Sequence, residues 1–154
     1  MEEFEIIGPS DQPALLAIST PEVAATVKTA LTEMGYKVHV VENYEQFDSR
    51  YNQTNYHIVA IDENFAGADS LENPTLRMIQ NLPMSQRRHA TVFLLGTSME
   101  TLNTMQAFAL SVHCVINYSE LPMFSELVQK TVAENEVFLA AYRDIQRRVY
   151  QKSP

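Results

Sequence analysis

Short apolar runs alternate with amphipathic segments along most of the chain. The apolar runs cover residues 14–18, 37–41, 56–62, 90–95 and 114–116. Each run is only a few residues long and is bounded by polar residues, a pattern typical of strands buried on both faces of a parallel sheet. Between the runs, apolar side chains recur at three- and four-residue steps, which indicates helices. The pattern therefore predicts an α/β fold, in which five strands alternate with helices on both faces of one parallel sheet.

Capping residues mark the ends of the predicted helices. Thr20 precedes a proline and a glutamate, so we expect it to cap the first helix, and we expect Gly35 to follow that helix's last turn. Asn73 also precedes a proline and is predicted to cap the helix between the third and fourth strands. Either Ser98 or Thr101 is predicted to begin the next helix, which leads to the fifth strand.

The third strand ends in a carboxylate. Its apolar run stops abruptly at Asp62, and in open α/β sheets ligands bind beyond the carboxyl ends of the strands. For five strand–helix units we expect the strand order 2-1-3-4-5 of a flavodoxin-like (βα)5 three-layer sandwich. That order makes strands one and three neighbours, so Ile18, Ser19 and Asp62 are predicted to lie together.

Composition narrows the classes of function. The 154 residues suit one domain, and the net charge of −8 argues against nucleic acid or an anionic membrane as a partner. Cys114 is the one cysteine, so a disulfide framework or a cysteine-based zinc site within the chain is excluded. The sequence has neither a signal-peptide core nor an apolar run long enough to span a membrane, and we expect a cytoplasmic protein.

Four short motifs stand in register with the predicted strands. Residues 20–23 (T-P-E-V) resemble a D-P-E-V motif after strand one, and residues 33–38 (E-M-G-Y-K-V) match E-x-G-Y-x-V before strand two. Residues 56–62 (Y-H-I-V-A-I-D) match Y-D-L-V-L-L-D, and Gly67 and Asp69 echo a P-G-M-D-G loop. In this order the motifs resemble the receiver (CheY-like) domain of bacterial two-component response regulators, whose phosphoacceptor is the last residue of the third motif.

The resemblance implies a degenerate metal site. Receivers hold Mg²⁺ with two acidic residues after strand one, the phosphoacceptor carboxylate and a backbone carbonyl two residues later. The corresponding residues here are Ile18, Ser19, Asp62 and Asn64. Because Mg²⁺ prefers hard oxygen ligands, including one or two carboxylates, the replacement of both acidic residues predicts that Mg²⁺ binds weakly or not at all.

The residues that stabilise a phosphoryl group in receivers are also replaced. The family's Ser or Thr after strand four corresponds to Gly96, with Thr97 one position late, and its Lys after strand five corresponds to Asn117. Phosphoryl transfer depends on neutralising charge at the phosphoryl oxygens, and Glu63 would add repulsion if it faces inward. We therefore expect Asp62 to be a vestigial or structural carboxylate, and a structural role could be to accept N–H groups near the N-terminus of the first helix. We expect no catalytic residue and no cofactor.

The last helix is longer than the sheet requires. It is predicted to run from Ser119 to about Gln151, and about 30 residues of helix span roughly 45 Å. Beyond about Asn135 its apolar residues recur at alternating three- and four-residue steps, which is typical of paired helices. These seam residues are Phe138, Tyr142, Ile145 and Val149. We expect this part to project and to pair with another helix, most simply in a symmetric dimer. The alternative is that it frays or folds back onto its own domain.

Three functions stand as hypotheses. The first is a phosphorylation-independent pseudo-receiver that acts in signalling as a protein-interaction or dimerisation module, with a protein partner that the sequence does not name. The second is a degenerate receiver that is still phosphorylated at Asp62. The third is a small α/β enzyme or ligand-binding domain that uses the strand ends. We expect the first, with a flexible leader at 1–12, a receiver-like domain at 13–131 and a helical extension at 132–154.

Overall fold

A computed structural model describes residues 6–69, 72–83, 86 and 89–151, and the side chains of these ranges as far as Val149. The outer ends of the predicted leader and extension, residues 1–5 and 152–154, lie outside the described residues. The strands are β1 (Gln12–Ala17), β2 (Tyr36–Val40), β3 (Ile58–Asp62), β4 (Thr91–Gly96) and β5 (Cys114–Asn117). The α-helices of the described ranges are α1 (Pro21–Glu33), α2 (Tyr44–Gln53), α3 (Pro74–Gln80), α4 (Thr104–Leu110) and α5 (Phe124–Gln151). Short 3-10 segments cover Phe65–Gly67 and Tyr118–Met123.

The five strands form one parallel sheet in the order β2-β1-β3-β4-β5, which confirms the predicted topology. At its centre, Ala60 of β3 pairs with Leu16 of β1 and with Phe93 of β4. Every residue of β3 and β4 is buried, as expected for strands covered on both faces. The strand ends differ from those predicted by no more than two residues.

Two apolar clusters hold the helices against opposite faces of the sheet. One cluster joins α1 and α5 to the sheet and includes Val27, Ile58, Ala60 and Phe124. The other joins α2, α3 and α4 to the sheet and includes Phe47, Val59, Ile61, Ile79 and Ala107. Because successive side chains of a strand point to opposite faces, the alternation along β3 separates the two clusters. The result is the three-layer sandwich that the apolar runs predict.

Two of the predicted capping residues behave as expected. Asn73 caps α3, because its Oδ1 accepts hydrogen bonds from the backbone N–H of Thr75 (3.0 Å) and of Leu76 (3.1 Å). Gly35 follows the end of α1 with a φ of 95°, a left-handed conformation that favours glycine. Thr20 occupies the N-cap position of α1, but contrary to the prediction its side chain makes no capping hydrogen bond.

The prediction that Ser98 or Thr101 begins α4 is wrong. Asn103 caps this helix, since its side chain accepts a hydrogen bond from the N–H of Gln106 at 2.9 Å. The hydroxyl of Thr101 has another partner and accepts a hydrogen bond from the N–H of Asn117 at 2.9 Å. The Ser98 hydroxyl likewise has another partner and donates to the carboxylate of Glu63. Both hydroxyls therefore brace loops at the edge of the sheet instead of starting a helix.

The last helix begins later than predicted and does not fold back. The 3-10 segment precedes it, so α5 begins at Phe124 and not at Ser119. From there α5 is one continuous helix of 28 residues. Its polar contact with the sheet is buried: Asn135 Nδ2 donates to Thr91 Oγ1 at 3.2 Å. The Asn135 side chain, just before the predicted seam, therefore holds the helix against β4.

The distal part of α5 projects from the domain. Leu139 is its last buried residue, and every described side chain from there to Val149 is exposed. The sequence predicts projection beyond about Asn135, and in the structure it begins about one turn later, after Leu139. No helix within the described ranges, α5 included, is apolar enough over a sufficient length to cross a membrane.

Candidate functional site

The carboxyl ends of the strands bring the predicted site residues to one edge of the sheet. Ile18 and Ser19 follow β1, Asp62 ends β3, Gly96 ends β4 and Asn117 ends β5. Contacts between the loops join these strand ends. The edge therefore contains the residues that the sequence predicts. Its hydrogen bonds, however, centre on Glu63, for which the sequence predicts only a repulsive role.

Asp62 is buried and is held by its own turn. It is 4% exposed, and its Oδ1 accepts a hydrogen bond from the backbone N–H of Asn64 at 3.1 Å. The expectation that it accepts N–H groups near the first helix is not met, because its described side-chain hydrogen bond comes from the loop after β3. The Asn64 side chain points elsewhere and donates to the carbonyl of Ala68 at 3.1 Å.

The two residues after β1 offer little to a metal ion. Ile18 is buried in the apolar cluster beneath α1 and provides no side-chain ligand. The Ser19 hydroxyl accepts a hydrogen bond from the backbone N–H of Ala66 at 2.6 Å, so it ties β1 to the loop after β3. Within the described ranges, no three His, Cys, Asp or Glu side chains group together as metal ligands. The donor set does not fit the Mg²⁺ that the receiver resemblance implies, because hard-cation sites rely on carboxylates.

Glu63 is the centre of the hydrogen bonds at this edge. Its side chain is buried at 4% exposure, and its Oε1 accepts hydrogen bonds from the backbone N–H of Thr97 (3.0 Å) and of Ser98 (3.2 Å). The hydroxyls of Thr97 and Ser98 also donate to the carboxylate. The Glu63 N–H in turn donates to the carbonyl of Leu95 at 2.8 Å, which continues the β3–β4 pairing beyond Asp62. Glu63 does face inward, and its carboxylate accepts hydrogen bonds from neutral donors there.

Gly96 is required by this arrangement. A Cβ added at Gly96 would lie 2.3 Å from Cδ and 2.5 Å from Cγ of Glu63, well inside van der Waals contact. Any other residue at this position would displace the Glu63 side chain from the loop after β4. The glycine at the position of the family's hydroxyl residue therefore leaves room for the Glu63 side chain.

Asn117 braces the same loop from the other side. Its Nδ2 donates to the backbone carbonyls of Thr97 (3.1 Å) and Met99 (2.8 Å), and its Oδ1 accepts from the N–H of Ser119 (2.9 Å). Both polar atoms of this amide, which lies where receivers have a lysine, thus bind backbone groups. It contributes no positive charge beside Asp62.

Asn73 fixes the chain at the two carboxylates. Its Nδ2 donates to the backbone carbonyls of Asp62 and Glu63, both at 3.0 Å, while its Oδ1 caps α3. One buried side chain therefore holds the end of β3 and the start of α3 together. The sequence predicted the cap but not the contacts with β3.

The Tyr118 phenol interacts electrostatically with the carboxylates of Asp62 and Glu63. Burial raises the pKa of Tyr118 most, and the carboxylates of Asp62 and Glu63 raise it further. Its hydroxyl is buried and makes no hydrogen bond of regular geometry with a described residue. None of the ion pairs among the described residues involves Asp62 or Glu63. The edge of the sheet is thus an acidic site stabilised by neutral donors.

A separate cavity of about 600 Å³ opens at the opposite, amino-terminal edge of the sheet. Tyr36, His57, His89, Glu136 and Arg143 are among the residues that line it. It lies away from Asp62, since β1, β3 and β4 all begin at that edge and end at the other.

We expect the Tyr118 phenol to stay protonated beyond the pH at which an ordinary tyrosine ionises. Its pKa in the folded protein is higher than in the unfolded chain, so its contribution to stability is present below about pH 10 and is lost as the pH rises through the folded pKa. Urea unfolding followed by circular dichroism should show a steeper alkaline loss of stability for the wild-type protein than for Tyr118→Phe. Equal alkaline slopes would contradict the raised pKa of this phenol.

Comparisons with known proteins agree with this fold. No family model matches the chain, and no curated protein matches it in sequence. Among solved structures, a candidate response regulator from Chloroflexus aurantiacus is similar with a TM-score of 0.65 and 14% identity, over 80% of this chain and 99% of that one. The chemotaxis response regulator CheY4 of Vibrio cholerae is similar with a TM-score of 0.61 and 13% identity, over 82% and 99% of the two chains.

A third similar structure is a fusion that carries a trimeric coiled-coil segment of yeast Spc42. Its TM-score is 0.64 at 15% identity, and the match covers 95% of this chain and 93% of that one. At these identities the likenesses concern the fold. The strand order, the three layers and these neighbours together show that the chain has the CheY-like receiver fold of response regulators.

Proposed function

We propose that this protein is a phosphorylation-independent pseudo-receiver, which acts in signalling through contacts with protein and not through catalysis. One observation carries the proposal: the Glu63 carboxylate occupies the donors of the loop after β4, immediately beside the phosphoacceptor position Asp62. A phosphoryl group on Asp62 would bring further negative charge to a buried pair of carboxylates that no described ion pair neutralises. Such crowding of like charge in a buried site is strongly unfavourable.

The metal and the cation of a working receiver have no counterpart among the residues at this edge. Ile18 is apolar, and the Ser19 hydroxyl accepts a hydrogen bond from the N–H of Ala66. The Asn117 side-chain amide donates to backbone carbonyls. Electrostatic stabilisers of this kind typically contribute several kcal/mol to a transition state when they are present. We therefore propose that Asp62 supports the loop structure and that Mg²⁺ is not a cofactor.

The competing function is a degenerate receiver that is still phosphorylated at Asp62. The position of Asp62 at the carboxyl end of the central strand favours it, since this is the position of the phosphoacceptor in the family that the sequence resembles. It requires Glu63 to leave the loop after β4, with the loss of bonds from two N–H groups and two hydroxyls. That requirement makes it the weaker of the two proposals.

We expect acetyl phosphate with Mg²⁺ to leave the wild-type protein unmodified in intact-mass measurements, because nothing neutralises an incoming phosphoryl group. Asp62→Asn is the matched control, since a mass increase that persists in this variant arises at another residue. A stable phosphoryl adduct that is present in the wild-type protein and missing from Asp62→Asn would overturn the proposal. Saturable amide shifts of Ser19, Asp62 and Asn64 at millimolar Mg²⁺ would argue against it independently.

The projecting end of α5 is the proposed route of protein contact. Tyr142, Ile145 and Val149 are 44%, 60% and 62% exposed, although they recur on one side of the helix at three- and four-residue steps. Burying such side chains contributes about 1.5–3 kcal/mol each, and an isolated helix of a few turns is marginal in water. A symmetric pair of α5 helices would bury the same residues of both subunits.

One comparison is consistent with pairing through a helix. The similar fusion that carries a trimeric coiled-coil segment matches this chain over 95% of its length. We propose a dimer, and a hetero-partner for the same surface is the alternative.

We expect the wild-type protein to sediment as a dimer and Tyr142→Glu/Ile145→Glu to sediment as a folded monomer, because two charges would replace the apolar seam. Val137→Glu/Ala140→Glu is the matched control, since these exposed residues of the same helix lie off the seam, and it should sediment like the wild type. If the wild-type protein is a well-folded monomer over a wide range of concentration, self-association through α5 is wrong.

A further inference from the structure

The loop after β4 binds a carboxylate that belongs to a different loop. Charged side chains are seldom fully buried unless they are paired, yet Glu63 is 4% exposed and forms none of the described ion pairs. Instead it is surrounded by donors from Thr97 and Ser98. The loop thus provides what a buried anion needs without using a positive side chain.

The geometry of the donors is that of a small receptor for oxyanions. Consecutive backbone N–H groups, those of Thr97 and Ser98, converge on Oε1, and consecutive N–H groups in a turn form a concavity that binds anions. The Ser98 hydroxyl donates to the second oxygen, Oε2. Gly96 leaves the space in front of these donors open, since any Cβ there would overlap the bound carboxylate. Both carboxylate oxygens are therefore recognised.

We infer that residues 96–98 form an oxyanion-binding site whose resident ligand is the carboxylate of Glu63, and that removing this carboxylate opens the site to a small external carboxylate or phosphate. The inference deepens the proposed function and rests on it, because a site already filled by Glu63 would not need a phosphoryl group to fix the loop after β4. Glu63 acts in this account as a built-in anion at the edge of the sheet.

The expected ligand follows from the atoms that a substitution removes. Glu63→Ala keeps Cβ and removes Cγ, Cδ and both oxygens, and acetate contains the same four heavy atoms. Because Asp62 stays beside the emptied site and no described cation is paired with it, a singly charged anion should be favoured over doubly charged phosphate. Acetate is therefore the best probe, and inorganic phosphate should bind more weakly.

The test uses the full chain and the amide signals of Thr97 and Ser98 in heteronuclear NMR. In Glu63→Ala, acetate should shift both signals saturably and towards their wild-type positions, and it should raise the melting temperature relative to chloride at equal ionic strength. Neither effect is expected in the wild-type protein, whose site is filled. Glu126→Ala removes an exposed carboxylate from α5 and should respond to acetate like the wild type.

A folded Glu63→Ala whose Thr97 and Ser98 signals ignore both acetate and phosphate would overturn the inference. If Glu63→Ala does not fold, Glu63→Gln decides, because a neutral amide of the same shape is a weaker acceptor for these N–H groups. Its Thr97 and Ser98 signals should then move upfield, and signals at the wild-type positions would contradict a bound carboxylate.

The acetate test of the oxyanion site and the phosphorylation test of the pseudo-receiver can fail independently. Acetate binding by Glu63→Ala, combined with phosphorylation of Asp62 in the wild-type protein, would refute the pseudo-receiver and leave the oxyanion site standing. An unmodified wild-type protein combined with a Glu63→Ala variant that binds no anion would refute the oxyanion site and leave the pseudo-receiver standing.

Discussion

The burial of the Glu63 carboxylate against the loop after β4 is the interaction on which the functional edge of this protein depends. Its oxygens take up the N–H groups and hydroxyls of Thr97 and Ser98, and its backbone extends the pairing of β3 with β4. Gly96 makes room for the side chain. Asn117 and Asn73 hold the two backbone segments that the carboxylate joins. A polar network of this kind is stable only when each member is satisfied.

The same interaction explains why the replacements at this edge occur together. Compared with the receivers that the sequence resembles, each replacement taken alone removes a ligand or a charge. In the structure, Gly96, Asn117 and Ser19 each have a positive role, since the first gives space, the second braces backbone and the third ties β1 to the loop after β3. These residues thus link the loops of the edge through hydrogen bonds to one another.

Much of the fold could be predicted because its signals are local. The apolar run that ends at Asp62 predicted β3, and alternation with helices predicted a parallel sheet. Asn73 was found as a cap from its neighbouring proline. The site could not be found in this way, because Glu63 and Ser98 are 35 residues apart in the sequence. The available signal was a glycine followed by two hydroxyl residues directly after an apolar strand, opposite a second acidic residue at the end of β3.

We propose that Glu63, and not a phosphoryl group, fixes the loop after β4. The most direct test of this proposal is a titration of the wild-type protein with Mg²⁺ and beryllofluoride, a mimic of a phosphoryl group on a carboxylate, followed at the amide signals of Thr97, Ser98 and Asn64. We expect these signals to keep their positions, because the N–H groups of Thr97 and Ser98 are already bound to Glu63 and that of Asn64 is bound to Asp62. Saturable shifts of all three signals at stoichiometric beryllofluoride would contradict the proposal and would identify Asp62 as a working phosphoacceptor.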